Sequence, residues 1–219
     1  MSERVIPGMG NTNETRNKIM ETAITLFAQK GFTAVPMRDI AKTVGVNIAS
    51  IYYHYDSKET LLEDILLFFT EGYRHYFDWL TDMNEKAGSL EEVMDNMFND
   101  EFVNMQNPMA CLVMSLAIKE QHKNELARKC VFELFYTHSV ARIKADFDRL
   151  IERGVIPPSD TNTIAMLFMF CVIVSNDLRV HEYMGTQPPL NSKEIYAGMK
   201  KHIYSALLHG NQSAPAPNA

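Results

Sequence analysis

The chain has 219 residues, a formal net charge of −6 and 46% hydrophobic residues, ordinary values for a globular protein with one large or two small domains. Three cysteines without a CxxC spacing argue against a disulfide framework or a zinc site and predict reduced thiols in a cytoplasmic protein. Residues 1–14 are too polar for a signal peptide, and the longest apolar run, residues 164–174, is too short to cross a bilayer.

The charge is divided unevenly along the chain. Residues 1–60 carry seven Lys/Arg and six Asp/Glu, whereas residues 61–219 carry fourteen Lys/Arg and twenty-one Asp/Glu. The overall balance argues against a protein that binds polyanions through bulk positive charge. Any nucleic-acid contact must therefore depend on a local group of side chains.

The first predicted helix follows a polar N-terminal arm. We expect residues 1–14 to be disordered and Thr15 to be the N-cap of a helix that ends at Gly31. The apolar face of this helix consists of Ile19, Ala23, Leu26 and Phe27.

A helix, a tight turn and a second helix are predicted next. Residues 37–44 have apolar side chains at helical spacing, and Gly45 can adopt the left-handed conformation that ends a helix. Asn47 is a good N-cap for the following helix. Ile51 and Tyr55 are four residues apart, so they share the face that packs on the first helix. The spacing of Ala41, Gly45 and Ile51 is typical of a helix-turn-helix, whose second helix can enter the major groove of DNA.

The other face of this second helix carries side chains that can bind DNA. They are polar or aromatic, with one exception, and can hydrogen-bond phosphates and base edges or touch thymine methyl groups. The candidate DNA-binding residues of this helix and its cap are Asn47, Ile48, Ser50, Tyr52, Tyr53 and His54. Arg38 of the first helix and Lys58 at the start of the next long helix are candidates for phosphate contacts. On the spacing alone, an ordinary helical hairpin is an equally good interpretation.

The rest of the chain predicts a series of helices and no strand. The predicted helical ranges are 58–83, 90–105, 109–122, 125–153, a segment around 164–174, and 195–207, followed by a flexible tail at 210–219. The segment 164–174 is apolar on all sides, which predicts burial against its own core and another subunit. The long helix that begins at Lys58 would join the N-terminal head to everything downstream without a flexible linker.

Three segments resemble the TetR family of bacterial transcriptional regulators. They are TRNKIMETAITLFAQKGF, RDIAKTVGV and SIYYHYDSKETLL, which together cover about residues 15–65. The resemblance implies an all-α fold with a helix-turn-helix domain at 15–57 and a helical ligand-binding and dimerisation domain at 58–209. It also implies a homodimer through about residues 160–209, a palindromic double-stranded DNA operator, and release by a small-molecule inducer.

The resemblance sharpens some site predictions and weakens others. Lys58 stands at the start of the long helix, where its charge and the helix dipole favour a phosphate. Asn47 is either a base-reading residue or only a cap. Pro36 replaces a hydroxyl residue that is common in the family, and Ile48 replaces a polar one, so the operator sequence cannot be transferred.

The ligand site is predicted from composition. Ten of the fourteen Met lie beyond residue 80, and Met lines adaptable pockets, although ordinary core packing is the better explanation for any single one. Such a pocket suits a lipophilic inducer. The candidate ligand residues, all expected in the core, are Tyr73, Phe102, Met105, Met109, Tyr136, Met169, Phe170 and Asn176.

Catalysis and metal binding are not predicted. The histidines are scattered without an HExxH spacing or an acid–histidine pair, so we expect no enzyme, no cofactor and no metal site. The alternative function is a helical adaptor that binds another protein and keeps the helix-turn-helix as a scaffold.

Overall fold

The computed structural model describes residues 14–98, 108–187, 190 and 192–209. Every regular element in these ranges is helical, which confirms the all-α prediction. The elements are α1 (Glu14–Lys30), α2 (Met37–Val44), α3 (Ile48–His54), α4 (Lys58–Lys86), α5 (Leu90–Met97), α6 (Pro108–Glu120), α7 (Glu125–Val131), a π-helical segment (Phe132–His138), α8 (Ser139–Glu152), α9 (Thr161–Tyr183) and α10 (Ser192–His209). Residues 1–13 and the predicted tail at 210–219 lie outside the described ranges.

The described residues form two compact units. The first contains α1 to α3, α4 up to Arg74, α6, α7 with Phe132, and α9 from Arg179. The second contains the rest of α4, α5, the π-helical segment from Glu133, α8, the first part of α9, and α10. The three-helix head thus shares a unit with α6, which packs against α1. The boundary between the helix-turn-helix domain and the second domain, predicted at residues 57–58 from the order of the helices, stays a prediction.

Two local predictions are corrected by the helices. Thr15 is not an N-cap, because α1 already includes Glu14. Residues 125–152 are helical as predicted, but the middle of this stretch, Phe132–His138, is π-helical. A π-helix has wider turns than an α-helix, with hydrogen bonds from residue i to residue i+5. The spacing of apolar residues in the sequence did not distinguish the two. The predicted helix at 90–105 is described only as far as Met97.

The turn between α2 and α3 requires a glycine. Gly45 has φ +83°, and both its N–H and that of Val46 donate to the carbonyl oxygen of Ala41 at 3.0 Å. A Cβ added there would meet no other atom within 4 Å, so a substitution introduces backbone strain without a clash at that carbon.

We expect Gly45→Val to lower the free energy of unfolding by about 1–2 kcal/mol, because a β-branched residue is strained in the left-handed region. Urea unfolding measures this change. Gly198→Ala is the control, since Gly198 lies inside α10 with open space around it. That variant should gain about 0.5–1 kcal/mol from the higher helix propensity of Ala. Unchanged stability in the Gly45 variant would contradict the role of its conformation.

Helix α9 is buried on one side within one chain, and the predicted contact of its other side with another subunit stays a prediction. Ala165, Phe168, Met169 and Val172 are buried, whereas a second apolar stripe is exposed. The stripe consists of Met166, Leu167, Phe170 and Val174, which are 44–57% exposed. Periodicity shows that a helix has two apolar faces, but only the packing of the chain decides which one is covered.

The same helix has the length and hydropathy of a membrane span. Thr161–Tyr183 contains 23 residues, and its most apolar window has a mean hydropathy of 1.7. It is longer than the apolar run visible in the sequence, because helix continues on both sides of that run. Half of that apolar window is buried inside the chain, and a single helix of this length and composition is weak evidence for a membrane span.

A buried carboxylate joins α4 to α8 in the second unit. Asp146 is 5% exposed, accepts from the Thr81 hydroxyl at 3.2 Å and is ion-paired with Arg149. Arg142 donates to the same Thr81 hydroxyl at 2.9 Å. Burial raises the pKa of Asp146, although the neighbouring arginines and Thr81 oppose the shift.

The raised pKa predicts a pH-dependent effect of Asp146→Asn. Between the ordinary pKa of 3.8 and the raised value, the folded chain binds more protons than the unfolded chain. The carboxylate therefore makes the protein progressively less stable as the pH rises through that window. We expect the unfolding free energy of the Asn variant, relative to the original protein, to increase with pH there. Urea unfolding at several pH values tests this, and a difference independent of pH would contradict it.

Candidate nucleic-acid interface

The N-terminus of α3 is held by its own cap. Asn47 Oδ1 accepts from the backbone N–H of Ser50 at 2.7 Å and lies 3.0 Å from the Ser50 hydroxyl. The side-chain carbonyl of Asn47 therefore caps the helix, which was one of the two alternatives left open by the sequence. Its amide nitrogen can still donate to DNA, so a base contact remains a prediction.

Helix α3 has a buried face and an exposed face, as the sequence predicted. Ile51 is 0% exposed and Tyr55 5%. Away from these two anchors, Tyr52 is 51% exposed and Tyr53 85%, and Ile48 is exposed as well. Large aromatic side chains rarely stay in water without a reason, so this face is a candidate binding surface.

An open depression of about 420 Å³ lies between α3 and the start of α1. Five of its lining residues belong to α3 or its cap, and the sixth is Thr15 of α1. The lining residues are Thr15, Asn47, Ala49, Ser50, Tyr53 and His54. Sequence analysis assigned Thr15 only a capping role, because nothing in the chain order shows that the start of α1 lies beside α3.

Lys58 makes contacts that the sequence did not predict. Its ammonium group donates to the carbonyl oxygens of Phe32 at 2.8 Å and Thr33 at 3.3 Å. It also lies 4.5 Å from the centre of the Phe32 ring. Lys58 therefore ties the start of α4 to the segment between α1 and α2. An ammonium has three N–H groups, so one is left for the predicted phosphate contact.

The remaining candidates differ in how freely they can reach DNA. The side chain of Arg38 is 84% exposed, and its distance of 3.7 Å from Asp39 makes only a loose ion pair. His54 is half-buried, and its ring packs edge-on against Tyr53 with the centroids 5.1 Å apart. The Arg38 side chain is thus open to solvent, while the His54 ring is partly covered by Tyr53.

The candidate ligand-binding residues differ in how deeply the structure buries them. Tyr73, Met169 and Asn176 are buried, and Met109 is half-buried. Tyr136 is 52% exposed and Phe170 57%, so the expectation that they lie in the core is wrong. Phe170 belongs to the uncovered stripe of α9, and Tyr136 lies in the π-helical segment. Phe102 and Met105 lie outside the described residues.

The cysteines and the acidic side chains form no recognisable site in the described ranges. No cluster of His, Cys, Asp and Glu there could hold a metal ion. Cys111, Cys130 and Cys171 form no disulfide bonds. Burial raises the pKa of Cys111 to about 11, which keeps its reactive thiolate form scarce at neutral pH.

Comparisons with known proteins agree with the helix-turn-helix. The model of "Bacterial regulatory proteins, tetR family" matches residues 19–65, which run from α1 into α4. The "Probable HTH-type transcriptional regulator YttP" of Bacillus subtilis is 34% identical over 85 residues, 39% of this chain and 41% of YttP. The match thus spans about two fifths of that relative.

A longer match and a solved structure extend the likeness beyond the head. IcaR of Staphylococcus aureus, a negative transcriptional regulator of the biofilm operon icaADBC, is 26% identical over 62% of this chain and 77% of its own. The ketosteroid transcriptional regulator KstR2 of Mycobacterium tuberculosis has the same fold, with a TM-score of 0.65 at 17% identity over 93% of this chain and 99% of its own. These relatives are transcriptional regulators and not enzymes. Residues 19–65 thus match the TetR family of bacterial transcriptional regulators, and the likeness to IcaR continues beyond them.

Proposed function

We propose that the protein is a DNA-binding transcriptional repressor that acts as a homodimer on a palindromic operator. The observation that carries this proposal is the exposed face of α3, with Tyr52 and Tyr53 in water while Ile51 and Tyr55 anchor the helix from behind. Repression is supported by the likeness to IcaR, which is named a negative regulator. A protein of this kind works in the cytoplasm, where its DNA is.

Each side chain of the interface has a chemical role in this proposal. Tyr52 and Tyr53 contact thymine methyl groups or phosphates, and Ile48 adds an apolar contact in the groove. Ser50 and the amide nitrogen of Asn47 hydrogen-bond base edges. Phosphates are bound by Arg38, His54 and the third N–H of Lys58.

The homodimer is proposed through residues 160–209. The exposed stripe of α9 supports it, because four large apolar side chains at helical spacing form a patch that monomeric proteins rarely leave in water. In a twofold symmetric dimer the same stripe of each chain covers the other. This arrangement also explains a helix as apolar as α9 without a membrane.

We propose that a small lipophilic inducer releases the protein from its operator. Within the second unit, the buried candidates Met169 and Asn176 are proposed to line its pocket. An amide such as Asn176 among apolar side chains would orient a ligand by a hydrogen bond.

A binding titration with the DNA that flanks its own gene, at two salt concentrations, tests the function. We expect saturable binding that requires the palindrome and weakens steeply with salt, because each head releases several counterions from phosphates. Binding equal to that of a scrambled duplex would contradict the proposal. It would favour the protein-binding adaptor, in which the helix-turn-helix is only a scaffold.

A further inference from the structure

Three helices of the first unit meet at one carboxylate oxygen. Asp64, in the second turn of α4, accepts with Oδ2 from the Tyr55 hydroxyl at 2.8 Å and from Arg16 Nη2 at 2.5 Å. Tyr55 is the C-cap of α3, and Arg16 lies in the first turn of α1. The guanidinium carbon of Arg16 is 5.9 Å from the centre of the Tyr55 ring. We call these three residues the Asp64 junction.

The direction of α3 depends on few contacts. The helix has seven residues, and a helix of that length is not stable by itself, so its surroundings decide how it points. Ile51 anchors its middle with a fully buried side chain. Tyr55 anchors its end, and its backbone N–H still donates to the carbonyl of Ile51 at 2.9 Å. Ile51 and Tyr55 together fix the direction of the α3 axis, and the Asp64 junction holds Tyr55 in place.

The chemistry of the junction suits a fixed position. Burial and the bond to Asp64 raise the pKa of Tyr55, so its hydroxyl keeps the proton that it donates at any physiological pH. The side chains of Asp64 and Arg16 are 27% and 45% exposed, so water weakens their ion pair. The junction therefore contributes more to geometry than to the stability of the fold.

We propose that Asp64 is a positioning residue for DNA reading, which holds the end of α3 so that Tyr52 and Tyr53 meet the base edges. This inference rests on the proposed function. Both tyrosines lie within three residues of Tyr55, so a tilt at the C-cap displaces them directly. Contacts to base edges need placement within about 0.5 Å, whereas attraction between cations and phosphates tolerates small displacements.

The test compares two DNA duplexes. One is selected by the original protein from a randomised pool, and the other has the same composition in scrambled order. We expect Tyr55→Phe and Asp64→Ala each to weaken binding of the selected duplex about tenfold, with the scrambled duplex within twofold. Because both variants remove one shared hydrogen bond, the double variant should also lose about tenfold and not a hundredfold.

Two controls separate positioning from stability. Ile24→Val trims a buried side chain of α1 that lies outside the junction, so it should lower the melting temperature and leave DNA affinity unchanged. Hydrogen exchange of the backbone amides should become faster in α3 of Tyr55→Phe, while α1 and α4 keep their protection.

Each result supports or overturns the inference. Equal losses on both duplexes, unchanged affinity in the junction variants, or fully multiplicative losses in the double variant would overturn it. If the original protein selects no duplex, the proposed function fails and the inference fails with it. If it selects one and the variants bind it normally, only the role of Asp64 fails.

Discussion

The double variant Leu167→Asp and Phe170→Asp should separate the dimer and lower operator affinity by two orders of magnitude or more. Both side chains lie in the exposed stripe of α9, where they are 53% and 57% exposed in one chain. Aspartates from two chains would face each other across the twofold axis, and burying them unpaired is costly. Linked heads bind two half-sites about 10²–10⁴ times more tightly than separate ones, and the variant loses this gain.

Sedimentation and DNA titration measure the two parts of this prediction. Leu67→Asp is the matched control, because Leu67 is an equally exposed apolar residue, 54% in water, on α4 outside the proposed interface. It should leave both the oligomeric state and DNA affinity unchanged. A monomeric original protein would contradict the proposed dimer, and a dimeric double variant would place the interface elsewhere.

Replacing Tyr52 and Tyr53 with alanine should lower affinity for the operator by about 100-fold, since each groove contact contributes about 1–3 kcal/mol. Both side chains are largely exposed, so the melting temperature should change little. Binding to scrambled DNA should fall much less, because Arg38 and Lys58 remain. The corresponding phenylalanine variants separate the ring from the hydroxyl group.

A control variant, Tyr136→Ala, is measured in the same DNA titration. Tyr136→Ala removes a tyrosine of similar exposure, 52%, from the π-helical segment far along the chain from α3. It should bind the operator normally. If the variant of both α3 tyrosines also binds normally, α3 does not read the operator and the site assignment is wrong.

Local rules were sufficient for the architecture of the head. The period of apolar residues predicted α1 to α4, and Gly45 and Asn47 predicted the turn and the cap that the structure contains. The same period separated Ile51 and Tyr55 from the exposed face of α3. These features depend on residues within one or two helical turns of each other, so they are encoded in short segments of sequence.

Contacts between distant residues were decided only by the tertiary structure. Lys58 reaches the carbonyl of Phe32, Thr15 lies beside α3, and Asp64 joins two other helices, none of which a helical period can show. The sequence left open which apolar face of α9 is exposed in one chain, for a related reason. An apolar side chain in the sequence indicates that burial is favourable, but how the helices pack decides which neighbour covers it. The sequence by itself thus determined the helices and the exposed face of α3 that is proposed to read DNA, while packing decided which residues hold that face in place.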